Sequence, residues 1–223
     1  MNSFDAAQGK STPSRRDFIV LAASAAAAGL LPVAAYAGPA PTILVVGDSL
    51  SAEYGLTRGT GWVALLKEKL ATEKIAAGVI NASISGDTTS GGRARLQALI
   101  HHNKPTHVVI ELGGNDALRG LPLQMTEDNL SQMVQSAQRS GAKVLLLGVQ
   151  VPPNYGGDYT ARFAAVFRKV AKAHKVPLVS FLQGVADGAN AASLFQADRI
   201  HPNAAAQPLL LGNVWPELRK LLV

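Results

Sequence analysis

Five short apolar runs recur along this chain, separated by segments whose apolar residues repeat at helical spacing, and few folds accommodate that rhythm. The runs are Thr42–Val46, Gly78–Ile80, His107–Leu112, Lys143–Val149 and Val176–Phe181; the helical segments are Trp62–Ala71, Thr89–His101, Glu127–Ser140 and Tyr159–Lys172. Near-continuous apolar strands belong to sheets buried on both faces, and a helix between successive strands makes them parallel. The expected fold is α/β, a five-stranded parallel sheet with helices on both faces. The closing segment Asn203–Leu222 is helical in pattern, but Pro208 and Pro216 interrupt it, so a kinked or split helix is expected. Pro152-Pro153-Asn154-Tyr155-Gly156-Gly157 marks a long loop after the fourth strand, stiffened at its start by the paired prolines.

The amino-terminal stretch stands outside this rhythm. Ser14-Arg15-Arg16-Asp17-Phe18-Ile19 opens an alanine-rich apolar segment that ends at Ala35-Tyr36-Ala37, a small-x-small cleavage pattern followed by Gly38 and Pro39. This is the layout of a twin-arginine export signal, removed near Ala37. As a membrane anchor, Phe18–Ala34 is short, rich in alanine and broken by Gly29 and Pro32. Residues 1–37 are therefore expected to be a cleaved leader read by the twin-arginine translocation machinery. Residues 38–223 form one domain, periplasmic or secreted and without a stable membrane anchor.

Composition narrows the chemistry. There are no cysteines, which removes disulfides, thiolate metal sites and cysteine nucleophiles together. The formal net charge is +6, but the basic residues outside the leader (Lys67, Arg93, Arg95, Lys169, Lys172, Arg219 among them) are scattered and lack interleaved aromatics. That describes a solvated, mildly basic surface and no nucleic-acid partner. Arg58 and Gly59 to Gly61 form a plain turn without phosphate-cradle spacing.

Each strand end carries polar residues: Gly47-Asp48-Ser49-Leu50 after the first, Asn81-Ala82-Ser83-Ile84-Ser85-Gly86-Asp87 after the second, Gly113-Gly114-Asn115-Asp116 after the third. The last loop holds Asp198-Arg199-Ile200-His201. In a parallel sheet these loops converge on one edge, so residues distant in sequence can meet there. A serine attacks a carbonyl when a neighbouring base takes its proton, and His201 is the candidate base for Ser49. Asp198, three residues earlier, can hold the imidazole in the correct tautomer. The Ser49 and Gly86 backbone N–H groups and the Asn115 side-chain amide are candidate oxyanion donors. Taken singly, each has a duller reading: Ser49 as a helix N-cap, Gly86 and Gly113 as turn glycines, Asn115 as a turn former, His201 as a helix-start residue before Pro202. His101, His102, His107 and His174 lack such company and read as surface or strand-end residues. A competing reading gathers Asp48, Asp87 and Asp116 around Mg²⁺ as a phosphatase, but it leaves Asn115, Asp198 and His201 without duties. A lipid- or carbohydrate-binding module with a dead site would need a lost catalytic residue, and none is lost.

At these positions the chain resembles the SGNH (GDSL) hydrolases, whose serine, glycine, asparagine and histidine fall here on Ser49, Gly86, Asn115 and His201. The likeness runs through Gly47–Ala52, Asn81–Thr88, Glu111–Asp116, Pro153–Gly156 and Ile200–Ala204, and covers residues 42–222. The longer stretches are similar to the bacterial periplasmic thioesterase I, arylesterase and lysophospholipase branch. The resemblance implies a three-layer flavodoxin-like fold and a metal-free, cofactor-free serine esterase mechanism on several acyl substrates. Arg199 departs from the branch, which often has glycine directly after the aspartate; this bears on how Asp198 meets His201. Leu118–Leu123 behind the asparagine and Val151–Tyr155 on the next loop are apolar enough to wall an acyl groove, with Leu118, Leu121, Pro153 and Tyr155 the residues expected to line it. The expected partner is a small acyl ester or thioester, and the expected state a monomer.

Overall fold

A computed structural model describes residues 40–151, 153–187 and 191–223; the leader lies outside the described residues. The strands are β1 (Thr42–Gly47), β2 (Gly78–Asn81), β3 (His107–Glu111), β4 (Lys143–Gly148) and β5 (Leu178–Ser180). All neighbouring pairs are parallel, in the order β2-β1-β3-β4-β5. The helices are α1 (Trp62–Thr72), α2 (Thr89–Asn103), α3 (Gly114–Leu118), α4 (Leu123–Arg139), α5 (Gly157–His174) and α6 (Gln207–Leu222).

The strand order dictates the layers. The step from β1 to β2 runs one way across the sheet, while the steps to β3, β4 and β5 run the other way. Because such crossovers are right-handed, reversing their direction moves the connecting helix to the opposite face. Accordingly α2, α4 and α5 pack in series as one layer, and α6 returns to pack beside α1. Ile43–Val46, Val108–Ile110 and Leu145–Leu147 are fully buried between the layers, as their unbroken apolar runs require. The reversal also leaves a crevice beyond the carboxyl ends of β1 and β3, the position where open α/β sheets bind ligands.

The expected elements appear with shifted ends. The fifth strand shrinks from Val176–Phe181 to Leu178–Ser180, because the Val176 N–H closes the end of α5 on Ala171 O and Pro177 has no N–H to give. The last segment is less broken than its prolines suggest: a 3-10 turn at Ala204–Ala206, capped by the Asn203 side chain, leads into α6, which runs as one helix from Gln207 to Leu222. Pro208 sits in the first turn of α6, where its missing N–H costs nothing; Pro216 lies inside. Among the described residues, no helix is long and apolar enough to cross a membrane.

Candidate active site

The loop after β1 is built around two buried carboxyl groups. Asp48 Oδ1 accepts the Leu50 N–H at 3.0 Å, and Asp48 O accepts the N–H groups of Ser51 and Ala52, so the chain turns sharply and carries Ser49 to the surface of the crevice. Glu111, the last residue of β3, accepts the Ser51 hydroxyl at 2.7 Å and the Asp48 N–H at 3.3 Å through Oε2. The Trp62 indole N–H donates to the same serine Oγ at 3.1 Å, which commits its hydroxyl proton to Glu111. Gly47 must be glycine here: a Cβ would lie 2.7 Å from Glu111 Oε2.

The carboxy-terminal loop meets this turn from the other side. His201 Nε2 lies 2.8 Å from Ser49 Oγ, and His201 Nδ1 lies 2.7 Å from Asp198 Oδ2. Asp198 Oδ1 accepts the backbone N–H groups of Ile200 and His201 at 2.9 and 3.0 Å, which closes the loop into a tight turn. Burial pushes the Asp198 carboxyl up, but these two N–H groups and the His201 ring outweigh it and hold it below its ordinary value. Arg199, where the related branch often has glycine, takes the turn's left-handed position (φ 57°). The turn that brings Asp198 to His201 is therefore made with an arginine at a modest steric cost. The Tyr54 ring packs against the imidazole with centroids 4.3 Å apart.

The remaining donors come from the second and third loops. Gly86 also needs its glycine, with φ of 80°. Its N–H and that of Ser49 have no acceptor among the described residues, whereas its carbonyl accepts from Arg119 at 2.8 Å. The Asn115 amide nitrogen, at the start of α3, donates to Asp48 Oδ2 at 3.1 Å and to Asp87 O at 2.9 Å. Burial pushes the Asp48 carboxyl up to about 6, partly countered by the Leu50 N–H, His201 and Asn115. Glu111, fully buried and next to Asp48, is raised well above the usual carboxylate range by that burial and by its neighbour's charge.

The three aspartates of the metal reading serve separate networks. Asp48 holds Leu50 and Asn115, Asp87 pairs with Arg95 at 2.8 Å, and Asp116 accepts from the backbone N–H and hydroxyl of Thr89 and from Thr126. They do not converge on one point, and no group of three metal-binding side chains occurs among the described residues.

Beside Ser49 opens a cavity of about 600 Å³ with largely apolar walls, among them Leu118, Val149, Val151, Ala161, Ala164 and Phe195. Leu118 lines it as expected; Leu121 and Tyr155 do not. The chain reverses at Gly120 (φ 65°) and ties the Leu121 N–H back to Asp116 O, while the Tyr155 ring packs on Tyr159 with centroids 5.8 Å apart. The Pro153 side chain lies outside the described residues. The wall that sequence reasoning missed is α5, whose small residues Gly157, Thr160, Ala161 and Ala164 recur on one helical face.

Residues 45–208 match the GDSL-like lipase/acylhydrolase family. Esterase TesA of Pseudomonas aeruginosa is 55% identical over 184 residues, covering 82% of this chain and 90% of that protein. Thioesterase 1/protease 1/lysophospholipase L1 of Escherichia coli K12 is 41% identical over 186 residues, covering 83% and 87%. Among solved structures, a crystal structure of TesA superposes with a TM-score of 0.78 at 55% identity, covering 81% of this chain and 99% of the other. With the fold, the residues and these relatives in agreement, the chain belongs to the GDSL-like lipase/acylhydrolase family of SGNH hydrolases.

Proposed function

We propose that this chain hydrolyses carboxylic esters and thioesters through an acyl-enzyme on Ser49. The observation that carries the reading is the 2.8 Å approach of His201 Nε2 to Ser49 Oγ, with Asp198 bonded to the opposite ring nitrogen. Ser49 Oγ attacks the acyl carbonyl while His201 Nε2 takes its proton. The imidazolium formed is stabilised by the Asp198 carboxylate, which the surrounding N–H groups keep ionised. The carbonyl oxygen, now negative, lies between the Ser49 and Gly86 N–H groups and the Asn115 amide. The intermediate collapses as His201 returns the proton to the departing alcohol or thiol, leaving the acyl group on Ser49. Water then attacks with His201 as base, the second tetrahedral intermediate expels Ser49 Oγ, and the acid is released.

The cavity supports an acyl chain of some length, since its walls are mainly apolar and it opens at the nucleophile. The names of the relatives support ester, thioester and lysophospholipid substrates alike. A single acyl chain presented as nitrophenyl ester, CoA thioester and lysophospholipid tests this. Turnover of the first two is expected, and absence of both would end the reading. All the residues involved come from one chain, so a monomer suffices.

The leader supports export through the twin-arginine route, followed by cleavage near Ala37. Arg15→Lys with Arg16→Lys is expected to leave unprocessed precursor in the cytoplasm. Mature protein in the periplasm of that double variant would refute the assignment.

A further inference from the structure

Of the buried acids that the serine mechanism leaves unused, Glu111 and Asp48 lie directly beneath it. Glu111 is fully buried and Asp48 is 2% exposed. Glu111 Oε2 is bonded to Ser51 and to the Asp48 backbone; its Oε1 has no partner among the described residues. Asp48 in turn uses both its oxygens as acceptors, Oδ1 for the Leu50 N–H and Oδ2 for the Asn115 amide. A chain of contacts thus runs from the end of β3, through the loop that bears the nucleophile, to the side chain expected to bind the oxyanion.

The Asn115 nitrogen has only two protons, and the resting site aims one at Asp48 Oδ2 and the other at Asp87 O. To serve an oxyanion it must redirect one of them. A bond to a charged carboxylate is stronger than one to a neutral carbonyl, so the proton facing Asp87 O is the one that turns while Asp48 holds the other as a pivot.

Resting on the serine reading above, we propose that the Asp48–Glu111 carboxyl pair is the positioning device of the oxyanion hole: Asp48 aims the Asn115 amide, and Glu111 seats the loop that carries Asp48 and Ser49. Both are positioning residues, since neither touches the reacting atoms. Both positions on Asp48 must accept, which an ionised carboxylate does and a protonated acid or an amide does not. The groups facing Asp48 are Glu111 from β3, Asp87 from the loop after β2 with its partner Arg95 from α2, and His201 from the carboxy-terminal loop. Burial raises the Asp48 carboxyl to about 6, so protonation of this pivot removes activity from the acid side of the pH profile. Burial and the charge of Asp48 hold Glu111 well above the usual carboxylate range, and its Oε2 needs only to accept from Ser51 and the Asp48 N–H.

Steady-state kinetics of Asp48→Asn, Glu111→Gln, Glu111→Leu and Ser49→Ala across the acid limb, on one soluble nitrophenyl ester, test the proposal. In Asp48→Asn one of the two donors loses its acceptor, and kcat falls roughly 10- to 100-fold, less than the 10²–10³ of deleting a donor outright. KM changes little, and the acid limb retreats to lower pH because the pivot no longer titrates. Glu111→Gln keeps an acceptor for Ser51 and the Asp48 N–H, and so retains near-wild-type kcat and an unmoved acid limb. Glu111→Leu loses both bonds and loses kcat. Wild-type kcat and pH profile in Asp48→Asn, or an effect confined to KM, would overturn the proposal. A deep loss of kcat in Glu111→Gln relative to wild type would overturn it too, and this result can be read even if the leucine variant fails to fold. Failure of the serine reading is a separate result, signalled by turnover in Ser49→Ala.

Discussion

Filling the cavity from the α5 side separates acyl-chain recognition from the chemistry. Ala164 lines the cavity on the α5 face that also carries Gly157, Thr160 and Ala161, away from the bonded set of Ser49, His201 and Asp198. Ala164→Phe places a ring where the far part of an acyl chain lies, displacing about four methylenes. Each methylene is worth about 0.8 kcal/mol when fully buried, so about 3 kcal/mol, or roughly 10²-fold in kcat/KM, is at stake. Partial exposure and ordering of the chain reduce this toward about tenfold. The assay is kcat/KM for nitrophenyl esters from acetyl to decanoyl. The wild type is expected to climb with chain length, while the variant matches it on acetyl ester and falls behind from the medium chains onward. An equal loss at every chain length, or an unchanged profile, would refute the placement of the acyl chain in this cavity.

Asn115→Ala is expected to lower kcat by about 10²–10³ with a smaller effect on KM, the scale for losing one oxyanion donor; a mainly KM effect would make Asn115 a binding residue. For stability, an acid raised from 3.8 to about 6 binds its proton more tightly folded than unfolded, so its cost is absent below the unfolded value and complete above the folded one. The stability of Asp48→Asn relative to wild type should therefore rise between about pH 4 and pH 7 by up to about 3 kcal/mol, while the bonds it loses displace the whole difference equally at both ends; urea titrations at both ends measure it. Arg199→Gly frees a left-handed residue of about 1–2 kcal/mol of steric cost against the larger chain entropy of glycine, so Tm should rise by about 2 °C with acetyl-ester turnover unchanged. A fall in Tm would show that the Arg199 side chain contributes contacts that outweigh its backbone.

The central strands were legible because burial on both faces leaves an unbroken apolar signature, as in Ile43–Val46 and Leu145–Leu147. Edge elements were less so: β5 keeps only Leu178–Ser180, since Pro177 and the helix end at Val176 take residues that look strand-like in isolation. Helix α3 was missed because five residues beginning at a glycine offer no periodicity to read. Ser49 and His201, 152 positions apart, could be paired on paper because parallel topology forces their loops to one edge. The cavity walls could be foreseen only in part, at Leu118 and Val151. How deeply a helix packs beside a sheet depends on the whole layer, and apolar loop residues such as Leu121 and Tyr155 can equally fold back onto their own neighbours. The signal that was available lay in α5, where small residues on one helical face leave room beside the sheet. The roles of Asp48 and Glu111 were hidden for a related reason: a buried acid is recognisable only once its partners are known.

The central claim is that Ser49 carries the acyl group during turnover. Rapid quenching of the enzyme with a nitrophenyl ester, followed by intact-mass measurement and peptide mapping, is expected to show an adduct of the acyl mass on the Ser49 peptide alone. Ser49→Ala, with an unchanged circular dichroism spectrum, should show neither adduct nor turnover. Hydrolysis at the wild-type rate by Ser49→Ala, or an adduct on another residue that turns over as fast as product forms, would contradict the account.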